Sequence, residues 1–155
     1  MYLHNLQTII PDLKAHQSVV VSRWMQKDYI TQFLQNYGIS PEYFIEAFAY
    51  RLVANVIHII ENDFPIHQYL ITKEVVMNFE SKNINAHDVF TLYQSLKDVC
   101  IELLEEGQIL SSGILLNSDR IVIDIYKVFE RLTHDILYFY AEEFHSQDYS
   151  YVQPA

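Results

Sequence analysis

Cysteine, glycine and proline are all scarce in this chain, which has one Cys, three Gly and four Pro among its 155 residues. The lone Cys100 excludes a disulfide within the chain and suits a reducing compartment. So few Gly and Pro residues leave little material for the tight turns of β structure. These shortages indicate a helical protein of the cytosol.

Basic residues are scarce as well, because 10 Lys and Arg face 20 Asp and Glu, for a net charge of −10. Nucleic acids and anionic membrane surfaces attract basic proteins, so we expect neither as a partner. No apolar run approaches the length of a membrane span. The first residues, MYLHNLQTIIPDLK, lack the basic region and apolar core of a signal peptide. We therefore expect a cytoplasmic protein without membrane insertion.

Apolar side chains are plentiful, at 50 % of all residues, and recur at spacings of three and four along most of the chain. This pattern predicts an all-α fold, a single-domain helical bundle of five to seven helices over residues 1–145. Residues 146–155 are expected to form a tail or the start of a linker. The predicted helices cover 11–26, 28–37, 41–62, 65–81, 86–106 and 119–144, while 108–116 fits either a loop or a short helical turn.

The segment from Ser40 to Asn62 gives the strongest helix signal. Ser40 can cap the first turn, and Pro41 fits the first helical position. Apolar residues cover about half of the circumference, which predicts a central helix with Asn55 and His58 on its polar side. Asp124 is predicted on the polar side of the last helix. Eight residues in the middle of apolar arcs are predicted to be buried: Trp24, Phe48, Leu52, Val56, Leu96, Cys100, Val128 and Leu132.

Catalytic and metal-binding patterns are missing from the sequence. There is no Ser/His/Asp order, no Gly-rich phosphate loop and no inward-facing acidic pair, so we expect no enzyme activity within this chain. Seven His residues are present, yet no HxxxH or HxxEH spacing and no second Cys support a metal site. A haem group would need an axial ligand in an apolar pocket, and His16 beside the first apolar stripe is the best candidate.

Cys100 lies in the middle of an apolar helix face, near Tyr93. A lone Cys in such a place acts either as a small hydrophobic core residue or as a sensing thiol. The 12 Tyr and 9 Phe residues, together with Trp24, fit either an aromatic core or the lining of a ligand cavity. A ligand-sensing site would therefore involve Cys100, Trp24, Tyr93 and His16.

Four segments resemble the RsbRD-type amino-terminal input domains of bacterial signalling proteins. They are VVSRWM (20–25), GISPEYFIEAFAYRLVANVIHII (38–60), KNINAHDVFTLYQSLKDVCIELLEEG (82–107) and DRIVIDIYKVFERLTHDILYFY (119–140). Such domains precede the output modules of histidine kinases, diguanylate cyclases and stressosome regulators. The resemblance implies a helical bundle, for which a globin-like arrangement is one form. Many members carry Cys-Pro after the central helix, where this chain has Phe64-Pro65, which argues against a two-thiol sensor.

The resemblance implies a non-enzymatic input domain that passes a signal through its last helix to a carboxy-terminal output domain or a partner protein. An attached output domain outside this chain could be an enzyme, such as a kinase or a diguanylate cyclase. The alternative is a globin-like sensor that binds haem or another small ligand. The first hypothesis involves no cofactor, and the second would use haem.

Input domains that act on a paired output module also imply a homodimer. The last helix carries apolar residues over more than about 120° of its circumference, with Tyr126, Thr133 and Leu137 at the edge. Together with Val19 and Met25 from the first helix, these residues are the predicted interface. The open alternative is that the domain's own helices cover the whole arc.

Overall fold

The computed structural model describes residues 3–64, 68–108 and 118–152. These ranges hold eight helices and no β-strand: α1 (His4–Gln7), α2 (Ile10–Ala15), α3 (Gln17–Met25), α4 (Asp28–Tyr37), α5 (Pro41–Glu61), α6 (Gln68–Ser81), α7 (Ala86–Glu105) and α8 (Ser118–Val152). The predicted all-α bundle is confirmed. The helix count exceeds five to seven because α1 is a separate single turn and the predicted first helix is divided into α2 and α3.

Helix α5 occupies the core, with α1, α2, α3 and α8 all packed against it. The most extensive helix pair is α7 with α8, and α6 and α1 also pack on α8. Helix α3 contacts both α5 and α7, so it joins the two parts of the bundle. A continuous apolar core fills the space between these helices. The globin-like arrangement stays a prediction.

The helix ends follow the capping signals in the sequence. Ser40 Oγ accepts a hydrogen bond from the Tyr43 backbone N–H at 3.2 Å, and Asn85 Oδ1 accepts one from the Asp88 N–H at 2.8 Å. Gly38 ends α4 with φ +64°, in the left-handed region that glycine tolerates best. Local chemistry therefore determines where α4, α5 and α7 begin or end.

A π-helical turn at Ile45–Ala49 interrupts α5, and the apolar pattern did not predict it. This wide turn accommodates one residue more than an α-helical turn. Phe44 and Phe48 both lie in the core beside this turn, and Phe48 stacks on Phe79 of α6 with ring centroids 5.1 Å apart. The turn therefore aligns the first residues of α5 with its longer, regular part.

By length and composition alone, α5 is also apolar enough to cross a membrane, with a mean hydropathy of 1.3. However, 56 % of this apolar window is buried within the bundle. The buried residues of its regular part form one face: Leu52, Val53, Val56, Ile57, Ile59 and Ile60. Other helices of the same chain thus cover the apolar surface that a lipid environment would otherwise cover.

Two helix boundaries differ from the predicted ones. The predicted helix 11–26 breaks at His16, whose backbone (φ −118°, ψ 25°) leaves the helical region between α2 and α3. The last helix continues beyond residue 144 to Val152, so the backbone of the predicted tail is helical over 146–152. The segments 65–67 and 109–117, including most of the ambiguous stretch, lie outside the described residues.

Seven of the eight predicted core residues are buried, and Cys100 is half-buried. Two residues predicted on polar faces, Asn55 and Asp124, are instead buried. Asn55 lies in the groove between α5 and α6, and Asp124 is covered by α1. Both corrections have the same cause, since a helical wheel shows which side of a helix is polar but not which neighbour covers it.

Candidate functional site

A small cavity of about 20 Å³ lies inside the bundle, between α1, α2, α3, α5, α7 and α8. Thirteen residues line it, and all of them are aliphatic or aromatic except Cys100. Its walls include Leu6 of α1, Leu13 of α2, Val20 of α3, Val56 of α5, Leu96 of α7 and Val128 of α8. The sequence predicted several of these residues as core, and it favoured an aromatic rather than a largely aliphatic lining for any ligand cavity.

Cys100 lies at this cavity, and burial raises the pKa of its thiol from 9.0 to about 12. The nearest basic residue in sequence, Lys97, does not lower that pKa. Its ammonium group donates to Gln94 Oε1 at 2.6 Å and lies over the Tyr126 ring, 4.7 Å from the centroid. At neutral pH the thiol is therefore protonated, which makes it a poor nucleophile and a poor metal ligand.

Helix α1 covers one side of the cavity, and hydrogen bonds to residues far away in sequence hold it there. The Leu3 N–H donates to Asp63 Oδ1 and the Leu6 N–H donates to Asp124 Oδ2, both at 3.1 Å. Gln7 Nε2 donates to the Ile60 carbonyl, also at 3.1 Å. The roles of Asp63 and Asp124 could not be predicted from the sequence, because their partners lie 60 and 118 residues away.

His16, the candidate haem ligand, does not line the cavity. It lies at the break between α2 and α3, with ring Nδ1 2.8 Å from the Asp12 carbonyl oxygen. A cavity of about 20 Å³ is also much smaller than a porphyrin ring. The described residues therefore do not fit haem. In the same part of the chain, no three His, Cys, Asp or Glu side chains are grouped as metal ligands would be.

Trp24, a candidate sensing residue, is fully buried outside the cavity lining. Its Nε1 donates to Ser95 Oγ of α7 at 2.8 Å, and its ring meets Phe44 edge-on at 5.6 Å between centroids. The preceding Arg23 also binds α7, donating to Glu106 at 2.8 and 3.0 Å. That hydrogen bond lowers the pKa of Glu106. The Arg-Trp pair thus fastens α3 to α7.

Tyr93, the remaining sensing candidate, is 1 % exposed, and its hydroxyl has no hydrogen-bond partner within the described ranges. Burial and the nearby Tyr140 raise its pKa. Tyr140 itself donates to the Ile84 carbonyl at 2.8 Å. Close by, Tyr37 donates to the Asp88 carboxylate at the start of α7. The structure does not place Tyr93 beside Cys100 at the cavity, so the predicted site divides into separate places.

The predicted interface residues also have different surroundings. Tyr126 and Leu137 are 51 % and 44 % exposed on α8. Val19 and Met25 on α3 are half-buried against the core. Thr133 is only 5 % exposed, and its hydroxyl donates to the Phe129 carbonyl at 2.8 Å, so it offers little surface to a partner. Ile123, 53 % exposed, was not predicted.

Comparisons with protein-family models, with curated proteins and with solved structures found no match to this chain. The resemblance to RsbRD-type domains therefore depends on the four segments quoted above. The geometry of the described residues provides the remaining support for a function.

Proposed function

We propose that this chain is a non-enzymatic bacterial input domain of the RsbRD type, which passes a signal through α8 to an output domain or a partner protein. Its cytoplasmic location and its action as a homodimer belong to the same proposal. The four resembling segments support the family, and the acidic composition supports a site of action away from nucleic acids and anionic membranes.

The observation that carries the proposal is that α8 has two apolar sides. Ile125, Val128 and Phe129 face inward and line the cavity. Ile123, Tyr126 and Leu137 face outward and are about half exposed. A rearrangement inside the bundle would therefore act directly on the helix that presents an apolar surface to a partner.

Fusion proteins test whether α8 transmits a signal. An output domain that is active only as a dimer is joined after Val152, with zero, one or seven residues inserted in the connecting helix. One residue rotates the output domain by about 100°, whereas seven residues nearly restore the original phase. We expect activity to change with one inserted residue and to return with seven.

A core-facing substitution tests whether the input domain is the source of the signal. Val128→Ala should change the output activity of the fusion protein with no insertion. Ile30→Val is the control, because Ile30 is buried on α4, which packs mainly on α3 and α7, and it does not line the cavity. Equal activity with one and seven inserted residues, or equal effects of both substitutions, would contradict the proposal.

A further inference from the structure

We propose that the cavity is a binding site for a small, uncharged, nonpolar molecule, about the size of a diatomic gas. The role of this site as the signal input rests on the proposed function, whereas its ability to bind a ligand does not. Binding and sensing are therefore tested separately.

The chemistry of the walls determines the class of ligand. A buried water needs two to four polar partners, and this cavity offers only the weak thiol donor of Cys100. An ion or a strongly polar molecule would lose its hydration without replacement hydrogen bonds. An unfilled cavity leaves its wall atoms without dispersion partners on one side, and a nonpolar occupant restores those contacts.

The size of the cavity limits the ligand further. About 20 Å³ is slightly more than the minimum that one water-sized molecule requires, and it is too small for a ring system or an acyl chain. The site therefore suits a molecule of one or two heavy atoms. Because the thiol stays protonated at neutral pH, Cys100 contributes a soft, polarisable wall rather than a reactive one.

Helices α1 and α2 cover the cavity, and α1 links the cavity to α8. Leu6 of α1 lines the cavity, and its backbone N–H is bound by Asp124, which precedes the cavity-lining Ile125 by one residue. Leu13 on α2 lines the same side. Displacement of α1 and α2 would open the cavity to solvent and break the contact with α8. Leu6 and Asp124 thus connect the binding of a ligand in the cavity to the positions of α1 and α8.

Xenon is a suitable probe, because it is nonpolar and binds only through dispersion. Methyl NMR spectra of the full chain are recorded at increasing xenon pressure. We expect saturable shifts in the methyl signals of Val56, Val128 and Leu96, all of which line the cavity. Valines elsewhere in the core, such as Val76, should shift little and without saturation.

Two substitutions at one wall position make the test specific. Val56→Ile adds a methyl group to the cavity wall and should abolish the saturable shifts. Val56→Ala enlarges the cavity and should strengthen binding. Val76→Ala is the matched control and should leave the shifts at Val128 unchanged. If Val56→Ile fails to fold, the comparison of Val56→Ala with the original chain still decides the question.

The absence of saturable shifts at the cavity methyls, or equal shifts in the Val56→Ile variant, would overturn the binding site. Xenon and dioxygen are then applied to the fusion protein used to test the proposed function, with helium as the reference gas because its dispersion attraction is very weak. A change in output activity that Val56→Ile removes would support sensing. Saturable xenon binding without any change in activity would support the binding site and refute its sensory role.

Discussion

Asp124 on α8 has a buried carboxylate. It accepts a hydrogen bond from the Leu6 N–H at 3.1 Å and so holds α1 in place. Lys127 is the charged group near it, with Nζ 3.9 Å from Oδ1. A helical wheel placed Asp124 on the polar side of α8, and only the fold shows that its partner is a backbone group 118 residues earlier. For Cys100, by contrast, the spacing of apolar residues along α7 was enough to predict that it lies on an apolar face.

Asp124→Ala should destabilise the protein by about 2–3 kcal/mol, because it leaves the buried Leu6 N–H without its charged acceptor. Asp124→Asn keeps a carbonyl oxygen in the same position and should cost less. Urea unfolding measures both changes, and hydrogen exchange at the Leu6 amide locates them. If that amide exchanges as slowly in the Ala variant as in the original chain, then Asp124 does not hold α1.

Cys100 should make stability fall between pH 9 and pH 12. Burial raises the thiol pKa from 9.0 to about 12, so the unfolded chain loses this proton at a lower pH than the folded chain. Within that interval the folded state binds more protons, and rising pH favours unfolding. Below pH 9 the contribution of the thiol is fully present.

Cys100→Ala isolates this effect, because the Tyr residues titrate in both proteins. Urea unfolding at pH 8 and pH 10 should show a larger loss of stability in the original chain than in the Ala variant. An equal loss in both proteins would mean that the folded thiol titrates near its ordinary pKa.

At the scale of helices, the sequence predicted the ends with local chemical signals. Ser40, Asn85 and Gly38 have the expected capping roles. The break at His16 and the π turn at Ile45–Ala49 were not predicted, since neither changes the apolar spacing enough to be read from the sequence. The π turn in particular is supported by aromatic packing on α6.

Deleting one residue tests the role of the π turn. Loss of Ala47 should convert the wide turn into an α-helical turn and keep Phe44 and Leu52 on the core side. Loss of Ala54, in the regular part of α5, rotates all later residues by about 100° and turns Val56 away from the core.

Circular dichroism and urea unfolding should therefore show a folded protein after deletion of Ala47. Deletion of Ala54 should cost more than about 4 kcal/mol or prevent folding. Equal damage from both deletions would show that the π turn does not act as a removable extra residue.

At the scale of the whole molecule, the fold class followed from periodicity, whereas the grouping of site residues did not. Trp24, Tyr93, Cys100 and His16 all lie on or beside apolar helix faces, as expected. The packing of the helices nevertheless separates them, and only Cys100 reaches the cavity. Spacing along a helix shows which side of that helix is apolar, but not which residues of different helices will meet.

Association through α8 is the prediction that belongs to this scale. Leu137→Glu should convert a homodimer into a folded monomer, because it places a charge in the exposed apolar stripe with Ile123 and Tyr126. Met77→Glu is the matched control, since Met77 is 53 % exposed on α6.

Light scattering at micromolar and higher concentrations measures the mass. Each copy carries a net charge of −10, so added salt should strengthen the dimer by screening the repulsion between copies. A monomer mass for the original chain at every concentration and salt level would rule out the dimer.

The hydrogen bond between Leu6 and Asp124 can form only late in the synthesis of this protein. Its two residues are 118 positions apart, which is roughly 6–24 s of translation at about 5–20 residues per second. For about 3–11 s of that interval, while residues 62–118 are made, α5 is complete and α8, which packs against it, is still missing. The nascent chain therefore lacks the partner for one side of α5, a helix with the length and composition of a membrane span.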